Sequence, residues 1–87
     1  MADEKMTIRR RDEIASRILN YKHFQGGQQQ SSYETLKLKT SEGIVNSELD
    51  PEKIKHTAEK TGIPEEEVEV FYREMYREII DEDIQRL

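Results

Sequence analysis

The chain has 87 residues, of which 33% are hydrophobic and 38% are charged, and its net charge is −5. A chain of this size buries only about 60% of its unfolded surface, so we expect one domain with one modest core. It contains no cysteine, which excludes a disulfide framework and a cysteine-ligated zinc site. No stretch approaches the roughly 18–20 apolar residues of a membrane span, and the first residues lack a signal peptide's apolar segment. We therefore expect a cytoplasmic protein with no membrane contact.

Positive and negative charges are unevenly distributed along the chain. Residues 1–40 carry eight Lys or Arg against five Asp or Glu, whereas residues 41–87 carry six against fourteen. A basic first half and an acidic second half suit head-to-tail self-association, or contact with an oppositely charged partner at either end. The alternative is that these charges only solvate exposed helix faces.

The first predicted helix covers residues 8–21 and follows a flexible N-terminus of residues 1–6. Thr7 is a suitable N-cap, and the glycine pair at 26 and 27 should prevent the helix from continuing further. The inward stripe of this helix follows three- and four-residue steps through Ile8, Arg11, Ala15, Ile18 and Leu19, and Ile14 flanks it.

Residues 25–32 are rich in Gly, Gln and Ser, and we expect a flexible linker because no apolar group can order them. The next segment, residues 33–46, permits three interpretations. The alternation of Leu and Lys over residues 36–39 favours a short β-hairpin around the turn-rich residues 40–43. The alternatives are an irregular arm or a helix from Tyr33 to Lys39, since Glu, Leu and Lys favour helices.

The second predicted helix covers residues 51–61. Asp50 can cap its free N–H groups, and Pro51 fits the first helical position. Gly62 is placed to end this helix in a left-handed conformation.

The third predicted helix covers residues 64–82 and starts at Pro64. Its apolar residues are too many for contact with a single neighbouring helix: Val68, Phe71, Tyr72, Met75, Tyr76, Ile79, Ile80, Ile84 and Leu87. The sequence therefore predicts a mainly α, single small domain of three helices (residues 1–87), with a helical corner in residues 50–87 and a hairpin or irregular arm before it.

The corner resembles a helix-turn-helix in the spacing of Ala58, Gly62 and Val68. Alanine allows two helices to approach, glycine takes a positive φ, and valine packs under the crossing. The resemblance covers about a fifth of the chain. It predicts two short helices that cross at a tight turn, and it is a weak sign of DNA binding because Glu65, Glu66 and Glu67 would face the phosphates.

The basic residues of the first helix form the main cationic cluster of the sequence. Arg9, Arg10, Arg11 and Arg17 are candidates for contact with a phosphate backbone or with an acidic partner. Three consecutive helical residues point in different directions, so they do not form a narrow stripe. Their charges oppose the dipole at a helix N-terminus, which favours compensation by a partner or by the acidic end of the same chain.

The sequence offers little for catalysis. His23 and His56 are isolated and lack the spacing of paired metal ligands on a helix. Ser31 and Ser32 fall in the predicted linker, which lacks the rigid support that a nucleophile needs. We expect no enzyme activity, cofactor or metal.

We therefore predict a non-catalytic protein-interaction or regulatory module that acts through its acidic, aromatic-bearing C-terminal helix. Val68, Phe71, Met75 and Ile79 would close the core of the domain. A second stripe beside them, with two acidic residues, would contact a protein partner or another copy in a homodimer: Tyr72, Tyr76, Ile80, Glu65 and Glu69. The alternative is a small DNA-binding regulator whose basic first helix holds phosphates.

Overall fold

A computed structural model of the chain describes residues 6–23, 31–42 and 48–86, with side chains as far as residue 82. These ranges contain four helices and no strand: α1 (Ile8–Tyr21), α2 (Ser32–Ser41), α3 (Pro51–Thr61) and α4 (Glu65–Arg86). The domain is small and all-α, as predicted, with one helix more than expected. Apart from Met6, the predicted flexible N-terminus lies outside the described residues, as does the predicted linker up to residue 30.

Helix α1 has the predicted bounds. The Thr7 side chain accepts a hydrogen bond from the backbone N–H of Arg10 at 3.1 Å, which confirms the N-cap. Ile14, Ala15 and Ile18 are fully buried. Ile8 was predicted on the same inward stripe but is 80% exposed. It occupies the first position of the helix, more than a full turn before the first buried residue, so the core does not reach it.

Helix α2 resolves the three interpretations of the segment after the linker in favour of the helix. Ser31 caps it by accepting a hydrogen bond from the backbone N–H of Glu34 at 3.2 Å. The predicted linker of residues 25–32 therefore extends too far, because Ser31 is the N-cap of α2 and Ser32 its first residue. Tyr33 and Leu36 turn inward and are buried, whereas Leu38 is 48% exposed. The Leu-Lys alternation therefore places its two leucines on different sides of a helix. No hairpin forms in residues 33–42, and residues 43–46 lie outside the described ranges.

The corner between α3 and α4 has the capping and helix-ending residues that the sequence predicts. Asp50 caps α3, Pro51 is its first residue, and Gly62 ends it with φ +77°. Two residues later the carbonyl of Pro64 accepts the first backbone hydrogen bonds of α4, which begins at Glu65 rather than at Pro64. The identification as a helix-turn-helix remains a resemblance in spacing.

The core is made mainly of residues from α1 and α4, with contributions from the other two helices. Its aromatic centre is a chain of edge-on ring contacts, in which Phe71 lies 5.8 Å from Tyr33 and 5.2 Å from Tyr72. Burial of a large side chain of this kind stabilises the fold by roughly 1.5–3 kcal/mol. The buried hydrophobic residues are Ile14, Ala15, Ile18, Leu19, Tyr33, Leu36, Ile54, Ile63, Val68, Phe71, Tyr72 and Met75.

Candidate functional site

The three apolar residues predicted for an interface lie at very different depths. Tyr72 is 0% exposed and belongs to the core, so it cannot reach a partner while the domain is folded. Tyr76 is packed partly against the core, and its hydroxyl accepts a hydrogen bond from the backbone N–H of Glu48 at 3.4 Å. Ile80 is 57% exposed. The predicted second stripe therefore begins at Tyr76, because the helical rotation that exposes Ile80 turns Tyr72 inward.

The two acidic residues predicted for the interface lie in the first two turns of α4. Glu65 is exposed, and Glu69 is partly exposed. Glu69 forms a salt bridge with Arg73, one turn later in the same helix. The negative charge of these two residues is therefore partly neutralised by Arg73 of the same helix.

Two of the four candidate arginines hold carboxylates of α4. Arg10 binds Glu67 with two nitrogens, Nη2 to Oε1 at 2.5 Å and Nε to Oε2 at 3.3 Å. Arg11 Nη2 lies 2.7 Å from Glu78 Oε2, and its guanidinium lies 3.9 Å from the ring centre of Tyr33. Both side chains are partly buried by these contacts. The compensation that the dipole argument required comes from the acidic end of the same chain.

The other two candidate arginines are more exposed. Arg17 Nη2 lies 3.5 Å from Glu13 Oε2, one turn earlier in α1. Arg9 is exposed and forms no ion pair with the part of the chain that the structure describes. Consecutive helical residues point about 100° apart. This rotation sends Arg10 and Arg11 towards α4 and leaves Arg9 facing solvent.

A network of charges joins α1, α2 and α4 around Glu78. Besides Arg11, Glu78 accepts a hydrogen bond from the Tyr33 hydroxyl at 2.9 Å and lies 3.4 Å from Lys37 Nζ. The Lys37 ammonium also donates to Glu82 Oε2 at 2.8 Å. The sequence carries one trace of this network, since Tyr33 and Lys37, like Glu78 and Glu82, are four residues apart. Only the fold shows that the two pairs face each other.

Four members of the network have shifted pKa values, those of Arg11 and Lys37 being raised. Burial raises the pKa of the Glu78 carboxyl, but the hydrogen bond from Tyr33 and the charges of Arg11 and Lys37 outweigh it, and the net pKa is lowered. Burial raises the pKa of the Tyr33 phenol to about 12. Glu78 is therefore held as a carboxylate and Tyr33 as a neutral donor.

A second polar cluster lies where the residues just before α3 meet α1 and α4, and it is formed by Glu48, Lys22 and Tyr72. Glu48 is 2% exposed, and one of its carboxylate oxygens lies 3.6 Å from Lys22 Nζ. The other oxygen and the Tyr72 hydroxyl are buried without a hydrogen-bond partner among the described residues. Burial, and then the charge of Glu48, raise the pKa of Tyr72. This cluster is a cost to the fold, because unpaired buried polar groups are destabilising.

The side of α4 that faces away from α1 and α2 carries an exposed set of residues, which we call the outer face: Arg73, Arg77, Ile80 and Asp81. Tyr76 lies at its border, one turn before Ile80, and Ile79 is partly buried beside it. The two other exposed apolar residues in helices have polar residues one turn away. Ile8 is followed by Asp12, and Leu38 is flanked by Glu34 and Glu42. Ile80 therefore stands out because apolar side chains adjoin it.

The two histidines lie on α3 and just after the end of α1. His56 lies with its ring 5.7 Å from that of Tyr21, and His23 follows α1 with φ +60°. In residues 6–23, 31–42 and 48–82, no three His, Asp or Glu side chains are grouped so that they could hold a metal ion. None of the described helices is long and apolar enough to cross a bilayer. Comparisons with family models, curated proteins and solved structures find no match to this chain.

Proposed function

We propose that the chain is a non-catalytic protein-interaction module that contacts its partner through the outer face of α4. The observation that carries the proposal is the exposure of Ile80, 57%, beside the partly exposed Tyr76 and Ile79. Isolated apolar residues are common on protein surfaces, but adjoining ones leave a patch that favours contact with another apolar surface. Exposed arginines beside such a patch are typical of interfaces.

The length of α4 supports the same proposal. It has 22 residues, whereas α1, α2 and α3 have 14, 10 and 11. At 1.5 Å per residue, α4 is about 33 Å long and its neighbours about 15–21 Å. The last fully buried side chain described in α4 is Met75, so the helix continues for three further turns beyond it. The described side chains of this extension include the outer-face residues Arg77, Ile80 and Asp81.

The charge pairs weigh against the alternative of a DNA-binding regulator. A phosphate backbone would have to displace Glu67 from Arg10 and Glu78 from Arg11. Of the four candidate arginines, Arg9 and Arg17 would then be left for the phosphates, and few phosphate contacts give weak binding at physiological salt. The exposed Glu65 and Glu66 at the start of α4 would repel the phosphates.

Site-specific photo-cross-linking in cells tests the proposal. A photoreactive residue at position 73, on the outer face, should give a protein adduct of defined mass. The matched control is the same residue at position 38, which is exposed on α2 and should give none. Ile80→Glu, introduced beside the label at 73, should abolish the adduct while circular dichroism stays unchanged. An adduct that survives Ile80→Glu, or no adduct at all, would refute the proposal.

A titration of labelled duplex DNA at two salt concentrations tests the alternative. We expect no binding at low salt. Binding that falls steeply with salt and is weakened by Arg9→Ala would instead favour the DNA-binding regulator.

A further inference from the structure

We infer that the partner of the outer face is a second copy of this chain, bound so that the two α4 helices run antiparallel across a two-fold axis. The inference rests on the proposed function and names its partner. It comes from the order of charges along the outer face, read together with the position of Ile80.

The apolar residues fix the register of such a pair. Ile80 of each copy meets an apolar partner when it lies level with Tyr76 of the other, which places the two-fold axis level with position 78. Both Ile80 side chains are then covered, and each Tyr76 ring gains a contact on its exposed edge. Because a two-fold interface repeats every contact, a small patch is used twice.

The same register makes the charges complementary. Arg73, Arg77 and Asp81 follow one another at four-residue steps and form a row along one edge of the outer face. With the axis at position 78, Asp81 of one copy lies level with Met75 of the other, midway between Arg73 and Arg77. The offset along the helix is about 3 Å from each arginine. Each Asp81 thus lies near two arginines of the other copy, of which Arg73 also holds Glu69 of its own helix. The two Arg77 side chains lie across the axis from each other, also about 3 Å apart along the helix, so four attractive pairs are opposed by one repulsive pair.

A parallel pair and a pair between α4 and α1 are both disfavoured. In a parallel pair the two-fold axis runs along the helices, and the charged row would face the opposite edge of the other α4. Tyr72 and Ile79 lie on that edge, and both pack towards the core of their own domain. Helix α1 offers no free cationic surface at Arg10 and Arg11, which already hold Glu67 and Glu78.

Sedimentation equilibrium of the purified full chain tests the inference. The wild type should associate to a dimer in the micromolar to submillimolar range, and added salt should weaken the dimer. Ile80→Glu should abolish association, and Leu38→Glu, which changes an exposed leucine on α2, should leave it unchanged. A wild type that stays monomeric at 1 mM overturns the inference.

A charge exchange identifies the antiparallel arrangement. Arg73→Glu with Arg77→Glu, and separately Asp81→Arg, should each weaken the homodimer about tenfold or more, since attraction becomes repulsion at two symmetric sites. Mixed in equal amounts, the two variants should form a heterodimer visible by native mass spectrometry, because every charged pair across the axis, including that between the two residues at position 77, is then opposite in charge. If each variant still dimerises alone, or if the mixture does not pair, the arrangement is wrong. Asp81→Arg alone provides this answer should the double variant lose its circular dichroism signal.

The cellular adduct separates this inference from the proposed function. A mass equal to two copies of the chain agrees with the dimer. A different mass, lost in Ile80→Glu, would leave the interaction module standing and overturn the homodimer. The absence of any adduct would overturn both.

Discussion

Both long sides of α4 carry charged residues, but those on one side bind other helices of the domain and those on the other side are exposed. On the side towards α1 and α2, Glu67 and Glu78 are bound by arginines and the Tyr33 hydroxyl. On the outer face, the arginines and Asp81 are exposed and border an apolar residue. The carboxylates of the inner side belong to the fold, because each has a cationic partner within the domain. The outer face keeps a set of charges that no neighbouring helix uses.

This difference accounts for part of the uneven charge of the sequence. Four acidic residues of the second half form ion pairs with cations of the first half, so these charges hold the domain together: Glu48, Glu67, Glu78 and Glu82. Both Glu67 and Glu78 are about one-third exposed, so each contact stabilises the fold only modestly. The charges available for the proposed homodimer are those exposed on the outer face, Arg73, Arg77 and Asp81.

The largest expected effect separates the core side of α4 from the outer face. Tyr72→Ala should lower the free energy of unfolding by about 3–5 kcal/mol, because it leaves a cavity among fully buried side chains. Ile80→Ala should change it by less than about 0.5 kcal/mol in the monomer. Urea denaturation at low protein concentration measures both. Tyr72→Phe is the control, and it should not destabilise because the hydroxyl has no described partner. Similar losses for Tyr72→Ala and Ile80→Ala would contradict the distinction between the two sides.

The next largest effect concerns the corner that aims α4. Gly62→Val should cost roughly 1–3 kcal/mol, because a β-branched residue is strained at φ +77°. An added Cβ would meet nothing within 4 Å, so the cost comes from the backbone and not from a clash. Gly62→Asn should cost less, since asparagine tolerates the left-handed region. Thermal denaturation compares the two, and equal melting temperatures would contradict the strain argument.

The sequence predicted most of the fold because local signals fix it. The bounds of α1 and α3, the caps at Thr7 and Asp50, and the left-handed Gly62 were all read from single residues and their spacing. The sequence of α2 permits three interpretations because its helical bias is weak. Its helix is fixed by burial of Tyr33 and Leu36 against the other helices, which no local pattern contains.

The candidate site was predictable only in part, because it depends on rotation about one helix. Periodicity put Tyr72, Tyr76 and Ile80 on one stripe, but three- and four-residue steps drift around a helix and carry Tyr72 into the core. The pairing of Arg10 and Arg11 with α4 joins residues 57 and 67 positions apart in the chain. The arginines near the N-terminus of α1 favoured compensation by a partner or by acidic residues of the same chain. Only the fold identified Glu67 and Glu78 as the compensating residues.

The pH dependence of stability should distinguish carboxylates on the two sides of α4. Glu78→Gln should lower the free energy of unfolding at pH 7 by about 1 kcal/mol, since it removes a partly exposed charge from Arg11 and Lys37. The pKa of Glu78 is lowered from 4.5 by folding, so its contribution is present above that value and is lost as the pH falls below it. The difference from the wild type should therefore shrink towards zero in acid.

Asp81→Asn, on the outer face, is the matched control for that experiment. It should change monomer stability by less than about 0.5 kcal/mol at pH 7, because Asp81 is exposed and forms no described ion pair. Denaturation curves from pH 2 to pH 8, at concentrations that keep the chain monomeric, measure both variants. A Glu78→Gln effect that stays constant into acid would show that shape, and not charge, is what Glu78 contributes.

The smallest expected effect concerns two neighbouring arginines of α1. It tests whether only the arginine that is paired with α4 stabilises the fold. Arg10→Met should cost about 0.5 kcal/mol, because it removes a two-pronged contact with Glu67 that is partly open to solvent. Methionine keeps most of the apolar stem, so the loss reports the charge. Arg9→Met should cost nothing measurable or should stabilise slightly, since it removes an exposed cation from a helix N-terminus. High salt should reduce the Arg10→Met cost and also any stabilisation by Arg9→Met, because it screens both the ion pair and the helix dipole. Equal costs for the two variants would mean that the arginines act as one solvated cluster. The contacts with Glu67 and Glu78 would then no longer argue against phosphate binding by α1.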